Sequence, residues 1–162
     1  MLKKLLLSCA ITASMVAPAY ANWQFTEWGM SRDDLWKSSP IAMRKDSTLT
    51  KCAHSYYESD WQAGKLKFIA CYGFDPANDS LNKIQLHLKD YSERDSFYDA
   101  LVAKYGQPKI NTNLKEIRLI FYEWRSDTSL ITLVDNRFET GNPEMYIDYE
   151  SSESNIETEN KL

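Results

Sequence analysis

The sequence predicts an α+β fold: an antiparallel sheet with two helices on one face. Three observations lead there. Two stretches, Ser31-Arg32-Asp33-Asp34 and Ser92-Glu93-Arg94-Asp95, have the helix start in which a hydroxyl is followed three residues later by an acid. Each is followed by runs rich in β-branched and aromatic residues, separated by polar turn clusters such as Asp75-Pro76-Ala77-Asn78-Asp79-Ser80. In Leu81 to Leu88, Ile84, Leu86 and Leu88 alternate with Lys83, Gln85 and His87, the pattern of a half-buried strand. The order reads strand, helix, three strands, helix, three strands, compatible with two tandem αβββ units over 22–90 and 91–149, although similarity between them is slight.

Met1 to Ala21 reads as a signal peptide. Lys3 and Lys4 give a basic start, Leu5 to Val16 is apolar but too short to span a bilayer, and Ala19-Tyr20-Ala21 is an A-x-A cleavage site. Cleavage after Ala21 starts the mature chain at Asn22 and implies a soluble periplasmic or secreted protein. A second box, Leu6-Leu7-Ser8-Cys9, resembles a lipoprotein site but leaves almost no apolar run before it. No later run approaches the roughly 20 apolar residues of a transmembrane segment.

The chain is 43% hydrophobic and 13% aromatic, ample for the core of a single domain over 22–149. Without Lys3 and Lys4 the basic count falls to 17 against 23 acidic residues, a net charge of −6. That balance argues against a nucleic-acid partner. Residues 150–162 lose their aromatics and are rich in Ser, Glu and Asn, the composition of a disordered acidic tail.

Asn22 to Trp28 reads as a short strand ended by Gly29. Met30, before the Ser31 cap, is placed to staple onto Leu35, and Ser38-Ser39-Pro40 stops that helix. Leu49 to Glu58 and Lys65 to Phe74 read as a hairpin about the loop Ser59 to Gly64. Setting Glu58 against Lys65 gives one apolar face and puts Cys52 opposite Cys71. In an oxidising compartment that position favours a Cys52–Cys71 disulfide over two separate buried thiols. In the second helix Ser92 is placed as cap, and Phe97, Ala100, Leu101, Lys104 and Tyr105 fall on one face. Gly106 suits a left-handed cap, and Pro108 cannot continue the helix. Glu116 to Trp124, Ser129 to Val134 and Glu144 to Tyr149 read as three further strands.

The runs Trp28-Gly29-Met30-Ser31 before a helix and Tyr105-Gly106-Gln107-Pro108 after one resemble units of the outer-membrane assembly lipoproteins of the SmpA/OmlA type. A tandem version is similar to the β-lactamase inhibitor protein fold. The resemblance implies a fold and the binding of other proteins through an open sheet face, and it carries no functional residue onto this chain.

Catalytic chemistry is thinly supplied. His54 and His87 are the only imidazoles, both within strand-like runs, and no G-x-S-x-G, phosphate-binding glycine loop or H-E-x-x-H motif occurs. Asp75, Asn78 and Asp79 do not have calcium-loop spacing, and Asp33 with Asp34 reads as first-turn helix acid. No metal or cofactor is expected. Trp61 in the predicted hairpin loop, with Tyr56, Tyr122 and Trp124 on strand positions opposite the buried series, is the candidate binding surface. The expected function is a binding or inhibitor module, not an enzyme, whose partner is another envelope or secreted protein or a small ligand. The alternatives are an envelope assembly factor and, further off, a small hydrolase.

Overall fold

The computed structural model describes residues 24–45, 52, 57–114, 118–137 and 141–152. The expected signal peptide, His54, Tyr56 and the expected tail beyond residue 152 lie outside the described residues. The fold is α+β. Two helices, α1 (Arg32–Ser38) and α2 (Arg94–Tyr105), pack on an antiparallel sheet. Its seven full strands are β2 (Tyr57–Ala63), β3 (Leu66–Phe74), β4 (Leu81–Leu88), β5 (Ile110–Leu114), β6 (Leu119–Arg125), β7 (Ser129–Asn136) and β8 (Glu144–Ser151). A two-residue strand, β1 (Met43–Arg44), edges β2.

The strand order is β1-β2-β3-β4-β8-β7-β6-β5. Each half is therefore a helix followed by a four-strand meander, and the halves join through their last strands. At that seam Ile84 pairs with Tyr149 and Leu86 with Ile147. Strand alternation sends these four toward the helices, together with Phe68, Tyr72, Ile131, Leu133 and Trp124. Leu35 of α1 and Phe97 and Leu101 of α2 close one core over that face.

The helices form broadly as their residues dictate, with differences at the ends. Ser31 caps α1, its Oγ accepting from the Asp34 amide at 3.2 Å, and Met30 packs against the core that holds Leu35. In α2 the cap moves upstream: Asp90 accepts from the Ser92 amide at 2.9 Å and opens a 3₁₀ turn over Tyr91–Glu93 before the helix. That turn is anchored to β7. The Tyr91 hydroxyl donates to Asp135 at 2.7 Å, and Arg137 pairs with the same carboxylate at 2.6 Å. The buried face of α2 runs through Phe97 and Leu101, flanked by Tyr98, Val102 and Tyr105, while Ala100 and Lys104 are exposed. Gly106 has the expected positive φ, 80°, but a ψ of −167°, which is the extended glycine region and not the left-handed helical one.

Residues 24–28 form a turn instead of the predicted strand. Gln24 has φ 59°, and the Trp28 indole N–H donates to the Ser129 hydroxyl at 3.1 Å. Gly29 and Met30 then bond the backbone of Leu81, tying the chain before α1 to the start of β4. The hairpin is tighter than predicted. Ala63 pairs with Leu66 around Gly64-Lys65, and Tyr57 pairs with Tyr72 instead of Leu66. The shift turns most of the expected loop into strand, which gives Ser59 to Ala63 ladder partners and seats Trp61 opposite Phe68.

The Cys52–Cys71 disulfide is present with Cα atoms 5.5 Å apart, but Glu58, not Cys52, stands opposite Cys71 in the ladder. Cys52 instead fastens the chain before β2 onto the sheet. Such a bond fits an oxidising, extracytoplasmic compartment. No helix among the described residues is long and apolar enough to cross a membrane. β8 extends through Ser151, so Glu150 and Ser151 belong to the sheet and not to a tail.

Candidate functional site

The face of the sheet opposite the helices carries the strand positions that alternate with the core. At the seam, β4 supplies Lys83, Gln85 and His87, and β8 supplies Glu150, Asp148 and Tyr146 directly across from them. These three pairs join the two halves on this face of the sheet.

These side chains are locked to one another. Lys83 Nζ lies 2.8 Å from Asp148 Oδ2 and 2.9 Å from Glu150 Oε1. Gln85 Nε2 donates to the other Asp148 oxygen at 2.7 Å. That bond leaves the Gln85 carbonyl oxygen facing His87 Nε2 at 2.7 Å, so Nε2 carries the imidazole proton and donates it. The His87 ring is 5% exposed and lies 5.1 Å from the Tyr146 ring. Burial pushes the Asp148 carboxyl up from its ordinary range, against the opposing pull of Lys83. Burial works against the Lys83 ammonium as well, but its bonds to Asp148 and Glu150 outweigh that and hold it above its usual value.

Gly73 keeps room for the row. A Cβ built there would meet Lys83 Cβ at 3.3 Å, so a side chain would press on the stem that carries the ammonium into place. Toward β2 the row borders the disulfide, with Cys71 opposite Gln85. Glu58, 4% exposed, receives Arg44 Nε at 2.6 Å, and Arg44 also reaches Asp60 at 3.1 Å. Toward β6 the rim turns apolar, with half-buried Leu119, Phe121 and Leu130.

The aromatic residues singled out in the sequence lie elsewhere. Trp61 is on β2 and packs, half-buried, on the helix side. Tyr122 also faces the helices, its ring 4.7 Å from Tyr98. Trp124 is 2% exposed, and its indole N–H donates to the Gly106 carbonyl at 2.8 Å, pinning the end of α2. None of these three lines the open face, whose aromatics among the described residues include Phe121 and Tyr146. The parity of β6 held the signal. Glu123 and Arg125 share a face with Phe121, which leaves Ile120, Tyr122 and Trp124 for the core.

Among the described residues no group of three or more His, Cys, Asp or Glu side chains is arranged to hold a metal ion. Compared with family models, curated proteins and solved structures, the chain gives no significant match to any of them.

Proposed function

We propose that the protein is a binding or inhibitor module of the periplasm or cell exterior that docks another envelope or secreted protein on the open sheet face, centred on the β4–β8 seam. The observation that carries this reading is the fixed polar row Lys83, Gln85, His87, Asp148 and Glu150, bordered by half-buried Phe121, Leu130 and Tyr146. Side chains already held by one another lose little rotamer freedom on docking, and half-buried aromatic residues such as Phe121 and Tyr146 are the type enriched in protein interfaces. The mature net charge of −6 and the internal neutralisation of Lys83 disfavour a nucleic-acid partner.

The compartment rests on the signal-peptide reading of residues 1–21 together with the disulfide. The resemblance to the SmpA/OmlA type and to the β-lactamase inhibitor protein fold supports the same mode of action. Hydrolysis would use His87 as base, yet its ring is buried and lies against Tyr146, which favours binding over catalysis.

The test is affinity capture from envelope extract with the mature protein as bait, beside a Phe121→Asp/Tyr146→Ala double variant and a Trp36→Ala variant on the helix side. Wild type and Trp36→Ala retain the same partner, while the double variant loses it by about tenfold or more, equivalent to about 1.4 kcal/mol. A partner lost with Trp36→Ala and kept by the double variant contradicts the reading.

A further inference from the structure

The two edges of the sheet are built differently. At one edge β1 covers part of β2, and Arg44, Asp60 and Lys89 set ion pairs beside it. Charge and a short outermost strand are the usual means by which proteins discourage strand addition. At the other edge β5 is outermost, and among the described residues no strand pairs its far side. Its five residues contain no charge, proline or glycine, and its pairing to β6 is regular from end to end. Leu114, at its end, is 38% exposed and stands beside Leu119, on the same face as Phe121.

We propose that β5 pairs antiparallel with β5 of a second copy, making a two-fold dimer with one continuous sheet. Ile110-Asn111-Thr112-Asn113-Leu114 reads the same by residue class in both directions. Pairing about Thr112 therefore sets Ile110 opposite Leu114 and Asn111 opposite Asn113 within the strand, with no like charges opposed. A two-fold contact requires this self-complementarity. The guarded β1–β2 edge then stops growth at two copies. The axis passes through the sheet at Thr112, so both polar seams face the same side and a partner meets two binding faces at once. Each mature chain carries a net charge of −6, so two copies repel and added salt strengthens the pairing. A single short strand pair falls at the small end of protein interfaces, and the dimer forms in a concentration-dependent way.

Sedimentation equilibrium of the mature protein from about 10 µM to about 1 mM reads the monomer–dimer balance at two salt concentrations, the range over which weak contacts populate. The expected result is a dimer that increases with protein and with salt, and that Leu114→Asp and Thr112→Pro each abolish while circular dichroism stays native. If Thr112→Pro disturbs the fold, Leu114→Asp and a Thr112→Cys variant decide. Oxidised Thr112→Cys forms a covalent dimer across the axis, whereas Thr132→Cys in mid-face does not. A chain that stays monomeric at the highest concentration, or a dimer indifferent to Leu114→Asp, overturns the proposal. So does a dimer that salt dissolves.

Discussion

Gly106 shows how a single residue decides an element's end. Its amide closes on Val102 at 2.8 Å, its carbonyl receives Trp124, and its backbone sits at φ 80°, ψ −167°. No atom lies within 4 Å of where a Cβ would stand, so the requirement for glycine is conformational and not steric. Asparagine eases a left-handed helical position but not this one. Gly106→Val, Gly106→Asn and Gly106→Ala are each expected to cost about 1 to 3 kcal/mol in urea melts. A Gly106→Asn variant as stable as wild type contradicts the backbone assignment. The sequence announces the glycine through Pro108 two residues on, but the carbonyl that this ψ orients is bonded by Trp124, eighteen residues away, a partner no local pattern shows.

Tyr72 is a second decisive residue. It is 0% exposed, bonded to Ser59 at 3.0 Å, and burial pushes its phenol up to about 12. The unfolded chain ionises near 10, so between about 10 and 12 the folded state keeps a proton that the unfolded state releases. Stability from this group is therefore full below pH 10 and falls as pH rises toward 12, by roughly 2 to 3 kcal/mol at about 1.4 kcal/mol per pH unit. Burial pushes the Tyr149 hydroxyl up too, which adds to the alkaline loss. Tyr72→Phe is expected to lose about 1 kcal/mol at pH 8 through the missing hydrogen bond, yet to fall less steeply above pH 10 than wild type. Identical slopes for the two proteins count against the burial.

At the scale of elements, strands with strict alternation were legible and those without it were not. β8 alternates throughout and β4 from Lys83 onward, so the positions of Lys83, Gln85, His87, Tyr146 and Asp148 away from the core follow from parity alone. That these two strands are neighbours does not follow, because it depends on how the two meanders dock. β5 escaped notice because its asparagines and threonine give no apolar period, and β1 because two residues carry no pattern. The hairpin register differs from the expected one because Gly64 starts a two-residue turn and does not end a long loop. The disulfide forms despite that difference because it joins β3 to a segment outside the ladder. With a sequence separation of 19 between its cysteines, its loop-closure entropy is worth about 3 kcal/mol. Reduction is expected to lower the urea midpoint accordingly while β2–β3 amides stay protected from exchange, since their ladder does not include Cys52. An unchanged midpoint would show that the bond adds nothing to stability.

On the scale of the whole molecule, one face is spent on the core and the other is left carrying ordered polar chemistry. The helices, the buried aromatics and the polar anchor at Asp135 all serve the first face. The second is built where the halves meet, so the integrity of the seam and the shape of the proposed binding surface are the same property. The measurement that tests this most directly is photo-crosslinking in intact cells, with a photoreactive phenylalanine analogue placed at position 121, 146 or 36. The account predicts protein adducts from positions 121 and 146, on the open face, and none from position 36, on the helix side. Adducts from position 36 alone, or none from the open face in cells where the chain is exported and folded, would contradict it.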